Sequence, residues 1–331
     1  MWTIIIIIII IIIISIFIFL NYRTKLIEPM VVTSDNMKKN VYNKYGIILD
    51  EDNNKLRYKD KVIDYTNNFN SNEGIKKSNC KITTSNILSK NGYPVCNYIS
   101  WNNNISDNDN IQNINNKLKF PLVVKYSYGE KGTDVYTDVN NNNKLLEVIN
   151  KFINENKKHI IIEEQAIGNK YRIMILNDKF VYADEDDKPI ITGNGVSTID
   201  TLIKEFPNKN KTKPIKMINE DLIEQQGYKI NDILEKGKKI EVTNIISISN
   251  GGKQKYIDEN KIHPLNIDLF KKINNIMGLN FSGIDYISKS LSIPYTVEGK
   301  IIEVNPYPGF SVTEQKNTGV VKNWINAIFG I

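Results

Sequence analysis

The sequence has little cysteine and little histidine, and each shortage excludes a class of site. Its 331 residues include two cysteines, Cys80 and Cys96, and two histidines, His159 and His263. Two cysteines exclude a disulfide framework and a cysteine-based zinc site, so a reducing compartment is expected. Two histidines are too few for a histidine-rich metal centre, and they argue against a histidine-based catalytic triad.

The chain also lacks a strong excess of charge of one sign. It has 43 lysines and arginines against 37 aspartates and glutamates, a net charge of +6 that is spread along the sequence. This balance favours solubility or small anionic substrates over a nucleic-acid groove, so no nucleic-acid partner is expected. Hydrophobic residues at 41% are typical of a globular protein, and the length fits roughly two domain-sized cores.

One long hydrophobic run is present, at the N-terminus. Residues Ile4 to Leu20 contain a single polar residue. At about 1.5 Å per residue, seventeen residues just reach across a hydrocarbon core, so the run predicts a transmembrane anchor over residues 1–22. Arg23 and Lys25 follow it, and the positive-inside rule then places the rest of the chain in the cytoplasm. A cleaved signal peptide is the alternative, although a basic n-region and a small-residue cleavage site are missing.

The remaining sequence divides into two parts. Residues 23–78 alternate polar clusters with two short apolar pieces, Tyr45–Leu49 and Lys61–Tyr65, which indicates a linker and a small leading subdomain. Over residues 79–331, amphipathic helical segments alternate with apolar strands, some of them in hairpins. This mixture predicts an α+β fold of two lobes with a site between them.

Oxygen-bearing side chains end two of the predicted strands. Residues two apart in a strand project to the same face, so Glu303 and Asn305 can present their oxygens to one point. Asp285 supplies a third oxygen donor at the end of another apolar strand. Such an oxygen-only set favours Mg²⁺. The alternative for Glu303 and Asn305 is a strand end with a solvated carboxylate and a turn-forming amide.

A lysine and a glycine-containing loop indicate a possible phosphate site. Lys125 ends an apolar strand, where it must face water or an anion, and a loop with glycines at 129 and 132 follows. The order of residues excludes the usual P-loop. A hairpin turn with a solvated lysine is the alternative here, and plain surface charge is the alternative for Lys81. The segment from Ile160 to Gly168 is an apolar strand that turns abruptly polar, an edge where an adenine could pair with backbone groups; a plain strand end is the alternative.

Taken in order, these segments resemble the ATP-grasp superfamily of carboxylate–amine ligases. The resemblance is to the ATP-grasp domains of cyanophycin synthetase and of the bifunctional glutathione synthetases in particular, and it extends from Asn79 to the end. The segments that carry it are Lys81, Val123–Lys125, the glycine loop Gly129–Val135, Glu163–Gly168, Gly283–Asp285 and Glu303–Gly309. The fold that the resemblance implies is the ATP-grasp fold, with the nucleotide between two α+β lobes, preceded here by the transmembrane helix.

The resemblance implies a role for individual residues. The ATP phosphates would be held by Lys81, Lys125, Gly129, Lys131 and Gly132, and the adenine by Glu163, Gln165 and Ala166. Mg²⁺ (or Mn²⁺) would be bound by Asp285, Glu303 and Asn305. Lys125 and Arg172 would act in catalysis, with Arg172 facing the transferred phosphoryl group. The substrates would lie near Asn250, Gly251 and Gly252.

The implied reaction is ATP-dependent amide-bond formation. A carboxylate would be activated as an acyl-phosphate, and an amine would then displace phosphate, leaving ADP as the other product. The implied partners are small-molecule carboxylates and amines, together with a membrane through the N-terminal helix, and a homo-oligomer is left open. The protein would thus be a single-pass membrane enzyme with a cytoplasmic catalytic domain.

Three residues depart from the family pattern. Lys170 stands near the usual place of an acidic ribose contact, Tyr126 replaces a proline, and Asp134 replaces a glycine in the phosphate loop. Lys170 weakens or relocates the ribose contact, and Asp134 adds negative charge near phosphates unless it points away. These departures support the alternative of a non-catalytic, membrane-tethered ATP-binding module. A degenerate membrane scaffold that binds no ATP is a third hypothesis.

Overall fold

The computed structural model describes residues 45–50, 55–64, 70–129, 132–210, 212–306, 308 and 318–330. The chain divides into two compact units. One comprises Met1–Phe69 and Tyr307–Val321, and the other comprises Asn70–Pro306 and Lys322–Ile331. The larger unit therefore begins at Asn70, nine residues before the boundary expected from the sequence. The division into residues 23–78 and 79–331 stays a prediction.

The described part of the smaller unit is a three-stranded antiparallel sheet. Its strands, in spatial order, are β1 (Ile47–Asp50), β2 (Lys55–Tyr58) and β3 (Lys61–Asp64). Ile47 and Leu56 are buried, whereas Ile48 and Val62 are exposed. The two apolar pieces in the sequence correspond to the outer strands.

The larger unit contains a four-stranded antiparallel sheet with helices packed on it. The strands are β4 (Tyr98–Ser100), β5 (Leu122–Tyr126), β6 (Val135–Val139) and β7 (Ile160–Glu164), in the order β4-β7-β5-β6. Helices α3 (Asp107–Lys117) and α4 (Asn142–Asn154) pack on this sheet, whereas α1 (Asn72–Ser78) and α2 (Lys81–Lys90) contact the five-stranded sheet of the same unit. Leu145, Val148, Ile149 and Phe152 recur at helical spacing, so α4 presents one apolar stripe to the core of this sheet.

A five-stranded antiparallel sheet positions the candidate site. Its strands are β8 (Asn169–Leu176), β9 (Lys179–Asp187), β12 (Lys253–Tyr256), β13 (Phe281–Ser288) and β14 (Lys300–Asn305), in the order β12-β9-β8-β13-β14. The helix α7 (Pro264–Met277) packs against one face and buries Phe270 and Ile273 in the shared core. It begins with a proline, where no amide donor is needed, and ends at Gly278 with a φ of 70°.

A smaller apolar core lies in the segment between β9 and β12. It is built from the hairpin of β10 (Ile190–Thr192) and β11 (Lys239–Glu241) with helices α5 (Ile199–Asn210) and α6 (Glu220–Gln225). A last helix, α8 (Thr318–Phe329), follows β14.

The membrane location expected from the sequence is corrected here. Among the described residues, no helix is long and apolar enough to cross a bilayer. The longest of them, α7, has 14 residues, and at about 1.5 Å per residue it falls short of the roughly 30 Å of hydrocarbon that a spanning helix must cross. The run Ile4 to Leu20, on which the expectation rested, lies outside the described residues.

Candidate active site

One face of the five-stranded sheet is apolar and the opposite face is charged. Tyr171, Ile173, Ala183 and Ile284 are buried in the core with α7. Because side chains alternate along a strand, the residues between them project from the opposite face. The charged residues on that face are Lys170 and Arg172 of β8, Asp184 and Asp186 of β9, Asp285 of β13 and Glu303 of β14. The strand register aligns these residues, since Arg172 lies directly opposite Asp184 on β9 and directly opposite Asp285 on β13.

A bulge in β14 places Glu303 on the charged face. Asp285 pairs with Glu303 and Tyr286 pairs with Ile301, so Ile302 is an extra residue in β14. Ile301 and Val304 are consequently both buried in the core although they are three residues apart. If β14 were regular through Ile302, alternation would direct Glu303 to the same side as Ile301. The bulge therefore brings the Glu303 carboxylate beside that of Asp285.

Two cations hold the Asp285 carboxylate. The Arg172 guanidinium contacts one of its oxygens, and the Lys170 ammonium lies 3.0 Å from the other. Burial would raise the pKa of Asp285, but the charges of Arg172 and Lys170 outweigh it and lower the pKa. Lys170 also lies 3.3 Å from Asp186, so its ammonium bridges two carboxylates. Burial would lower the pKa of Lys170, but these two carboxylates raise it overall.

Glu303 links this cluster to Lys81 of α2. Its carboxylate lies 3.0 Å from the Lys81 ammonium, which also donates a hydrogen bond of 2.6 Å to the carbonyl of Gly129. The charge of Glu303 also contributes to raising the pKa of both Lys125 and Arg172. Glu303 therefore lies within electrostatic reach of the cations on both sides.

Lys125 and Glu163 form a buried ion pair. They lie on the adjacent strands β5 and β7, and each is less than a tenth exposed. Burial opposes the charged form of Lys125, yet the charge and hydrogen bond of Glu163 raise its pKa overall. The pair keeps an ammonium group at the end of a hydrophobic strand, where the sequence predicted a cation.

Asp184 is a buried carboxyl group on the charged face of the sheet. Burial, together with the charge of Asp186, raises its pKa to about 8. The hydroxyl of Tyr182 and the charge of Arg172 offset only part of that shift. Asp184 is thus protonated over much of the neutral range, which lowers the negative charge of the cluster.

The loop after β5, which contains Gly129, Gly132 and Asp134, is contacted by lysine side chains. Lys157 lies 2.6 Å from Asp134, so the negative charge in the loop is paired with a cation. Gly132 has a φ of 75°, a left-handed conformation that favours glycine. Lys131 lies outside the described residues.

Two of the residues predicted to hold the adenine follow β7. The side chain of Gln165 exchanges two hydrogen bonds with Asp138 of β6, and Ala166 is half-buried.

Comparisons with known proteins find relatives in sequence and in fold. Residues 78–187 match the model of the RimK-like ATP-grasp domain, so over this segment the chain is similar to ATP-grasp domains. It is 30% identical over 217 residues to cyanophycin synthetase from Geminocystis herdmanii, covering 62% of this chain and 25% of the relative. It is 27% identical over 222 residues to the glutathione biosynthesis bifunctional protein GshAB from Streptococcus mutans, covering 62% and 28%.

Two solved structures show the same fold. A bifunctional glutathione synthetase from Pasteurella multocida superposes with a TM-score of 0.52 at 19% identity, over 86% of this chain and 41% of that one. A D-alanine–D-alanine ligase from Bacillus anthracis gives a TM-score of 0.50 at 12% identity, over 77% and 66%. At these identities the likeness concerns the fold. The chain spans about a quarter of the length of the cyanophycin synthetases that it matches.

Asn250, Gly251 and Gly252 form a tight turn beside a cavity. The side-chain oxygen of Asn250 accepts hydrogen bonds from the amides of Lys216 and Met217, and its amide nitrogen donates to Thr243. The amide group of Asn250 therefore holds the backbone. Beside the turn is a cavity of about 510 Å³, whose lining includes Gly168, Asp186, Lys188, Glu241, Gly251 and Lys253.

The three predicted metal ligands share one face of the five-stranded sheet. Asp285 and Glu303 are direct cross-strand neighbours, and Asn305 pairs with Gly283 on the same two strands. No three His, Cys, Asp or Glu side chains in the described part of the chain are placed to hold a metal by themselves. Two carboxylates and an amide fit Mg²⁺, which takes few protein ligands and keeps its remaining positions for water and phosphate.

Two acids of the site and the role of Lys170 were missed by sequence reasoning. Lys170 was identified only as a departure, whereas it bridges Asp186 and Asp285. Asp184 and Asp186 were not singled out at all. Their signal was present, because a strand pattern that ends in acids two apart, next to a strand with cations two apart, predicts a charged sheet face.

Proposed function

We propose that the protein is a Mg²⁺-dependent, ADP-forming ATP-grasp ligase that joins a small carboxylic acid to an amine. The observation that carries the proposal is the position of Glu303, whose carboxylate pairs with Lys81 of α2 while its charge also acts on Lys125 of β5 and Arg172 of β8. A surface with both signs of charge suits a triphosphate together with a divalent cation. The matched relatives named as synthetases and ligases support the same conclusion.

The nucleotide would lie between the two sheet regions. Lys81 and Lys125 would hold phosphate oxygens, and Gly129 and Gly132 would bring the loop backbone close to them. The segment after Glu163, with Gln165 and Ala166, would hold the adenine. Lys81 and Lys125 are paired with carboxylates in the structure, so the ammonium groups are already oriented on this side of the site.

Asp285, Glu303 and Asn305 would hold Mg²⁺, whose charge would offset that of the phosphates. Arg172 is fixed against Asp285, and from there its guanidinium would stabilise charge that develops on the transferred phosphoryl group. Binding and charge neutralisation are most of what phosphoryl transfer requires from a protein. The acid would be activated as an acyl-phosphate, and attack by the amine would release phosphate.

The cavity beside Gly251 would receive the acid and the amine. Asp186 lines it and is linked through Lys170 to Asp285, so the cavity adjoins the charged face of the sheet. Its wall carries both acidic and basic side chains, with Lys188 paired to Glu241 at 3.0 Å. Asn250 would support this wall indirectly, by fixing the segment at Lys216.

The alternative of a non-catalytic nucleotide-binding module is less well supported. One of the two observations in its favour was the negative charge of Asp134 in the phosphate loop, but the ammonium of Lys157 pairs with that carboxylate. The other was Lys170, whose ammonium pairs in the structure with Asp186 and Asp285.

ADP release by the purified chain tests the proposal. The chain would be incubated with ATP, Mg²⁺ and a metabolite extract, and the products identified by mass spectrometry. We expect ADP release that depends on the extract, and a loss of about 100-fold or more in kcat for Glu303→Gln. Glu147→Gln, on the exposed face of α4, is the control and should keep the wild-type rate. Equal rates in all three proteins would reject the ligase, and ATP binding without turnover would favour the alternative.

A further inference from the structure

One buried side chain at the start of the larger unit binds four backbone groups. Asn70 is 8% exposed. Its amide nitrogen donates to the carbonyls of Phe281 and Pro306 at 2.7 and 2.6 Å. Its side-chain oxygen accepts from the amides of Asn280 and Phe281 at 2.8 and 2.7 Å. An asparagine offers two donor hydrogens and two acceptor sites, so Asn70 uses its full hydrogen-bonding capacity on backbone.

These four bonds connect the ends of the two strands that bear the candidate metal ligands. Phe281 is the first residue of β13, which carries Asp285, and Pro306 directly follows Asn305, the last residue of β14. The two strands are paired there, with Gly283 opposite Asn305. Proline has no amide hydrogen, so Pro306 cannot donate a hydrogen bond to a neighbouring strand. The strand end is held instead through the carbonyl of Pro306, which accepts a hydrogen bond from Asn70.

The position of the ligands depends on that strand end. Glu303 and Asn305 must remain on one face within a few tenths of an ångström for their oxygens to meet a single cation. The bulge at Ile302 already interrupts the pairing of β14 on one side of Glu303. A second fixed point on the other side, at Pro306, restrains the segment between them.

We propose that Asn70 is a positioning residue, which holds Glu303 and Asn305 in register with Asp285 for metal binding. It acts through the backbone and does not itself contact substrate or metal. The inference rests on the proposed function, because it requires these three residues to be the metal ligands. It goes beyond that function by adding a residue that lies outside the matched segment 78–187.

A second buried asparagine provides a matched control. Asn266 of α7 donates to the carbonyls of Leu291 and Ile293 at 2.9 and 2.8 Å, and it accepts from the amide of Tyr295 at 2.7 Å. It is fully buried and also connects chain segments through their backbone. Its contacts are in the loop between β13 and β14, at the opposite end of these two strands from Phe281 and Asn305. Asn266→Asp should therefore match the structural damage of Asn70→Asp without moving the ligands.

The experiment measures Mn²⁺ binding directly, in the presence of a non-hydrolysable ATP analogue. Free Mn²⁺ would be followed by electron paramagnetic resonance with the wild-type chain, Asn70→Asp, Asn70→Ser and Asn266→Asp. The aspartate cannot donate to the two carbonyls, and the serine is too short to reach all four groups. Asn70→Ser also keeps the test usable if Asn70→Asp does not fold. Thermal unfolding of each variant reports the structural damage.

We expect the Kd for Mn²⁺ to rise roughly tenfold or more in the Asn70 variants, as for other residues that orient metal ligands. Asn266→Asp should keep the wild-type Kd at a similar loss of thermal stability. Excess Mg²⁺ should partly restore ADP release in Asn70→Ser. Equal Kd values in the Asn70 and Asn266 variants would overturn the inference while the proposed function stands. A wild-type chain that binds no Mn²⁺ would overturn both.

Discussion

At the scale of single residues, the ion pair of Lys125 and Glu163 shows how the site is kept charged. Both side chains are almost fully buried, and removing a charge from water is costly. The cost is offset only while each residue keeps its partner. A candidate phosphate lysine is therefore maintained in the ammonium form by a carboxylate on the neighbouring strand.

We predict that Glu163→Gln lowers the free energy of unfolding by about 3–5 kcal/mol, because it leaves Lys125 as a buried charge without a counterion. Urea denaturation monitored by circular dichroism measures the change. Glu147→Gln breaks the exposed pair with Lys144 and should cost less than about 1 kcal/mol. Losses of the same size in both variants would show that the buried pair stabilises the fold no more than the exposed pair does.

A second residue-scale prediction concerns pH and Asp184. Its pKa in the folded chain is about 8, against an ordinary value of 3.8, so between these values the folded state binds more protons than the unfolded state. Stability is therefore present at low pH and is lost as pH rises toward 8. Asp184→Asn removes this loss, since the amide has no proton to release.

The unfolding free energy of Asp184→Asn relative to wild type should increase between about pH 5 and about pH 8, by more than about 1.4 kcal/mol. Denaturation in matched buffers measures it. Asp178→Asn, in the exposed turn between β8 and β9, is the control, and its difference from wild type should stay constant. A constant difference for Asp184→Asn would mean that Asp184 is ionised throughout.

At the scale of elements, the entry to β14 depends on one glycine. Gly299 has a φ of 114°, and a Cβ there would lie 1.7 Å from the hydroxyl oxygen of Tyr286. That hydroxyl donates to the carbonyl of Glu298, so the ring cannot move aside without losing a hydrogen bond. The close approach fixes the start of the strand that carries Glu303.

Gly299→Ala should therefore destabilise the protein by about 3 kcal/mol or more, from overlap with Tyr286 added to backbone strain. Gly227→Ala is the matched control. Gly227 also has a positive φ, of 87°, but a Cβ there would meet nothing within 4 Å. The control should lose only about 1–2 kcal/mol. Thermal unfolding measures the loss of stability in both variants. Equal losses would mean that backbone strain alone, without overlap with Tyr286, accounts for the effect.

At the scale of the whole molecule, the two units differ in how much apolar surface their strands bury. The strand β13 is paired on both sides and is buried along almost its whole length. In the sheet of β1 to β3, Ile47 and Leu56 are buried, whereas Ile48 and Val62 are 60% and 48% exposed. Local opening requires less free energy where less apolar surface is buried.

We expect hydrogen exchange to be slowest in peptides from β13 and fastest, among the strands, in peptides that cover residues 47–64. Mass spectrometry after timed labelling measures the exchange. Peptides from β12, an edge strand of the larger unit with exposed side chains, should exchange at intermediate rates. Equal protection of β1 to β3 and β13 would contradict this order.

Several elements of the site could be predicted from the sequence because their cause is local. Alternation along β14 places Glu303 and Asn305 on one face, and the apolar run before Lys125 predicts a buried strand with a cation at its end. The turn at Asn177 and Asp178 is also a local property, and both residues have positive φ values. The ordered series of such segments was sufficient to indicate the ATP-grasp fold.

Other features depend on residues far apart in the chain, and no local pattern specifies them. The bulge at Ile302 requires the core to accept both Ile301 and Val304, and Asn70 meets backbone more than 200 residues away. Lys157 neutralises Asp134, and Lys170 joins Asp186 to Asp285, only after β5, β8, β9 and β13 have assembled.

The amino-acid sequence by itself determined which side chains bear charge, where strands and helices occur, and which residues share a strand face, because these follow from composition and short-range periodicity. Tertiary structure alone decided which charges are neighbours, since pairing depends on sheet register. It also decided how strongly each charge is perturbed, since burial sets that. Asp184 and Asp186 differ by two positions in one strand, yet the pKa of Asp184 is raised to about 8 while Asp186 pairs with Lys170.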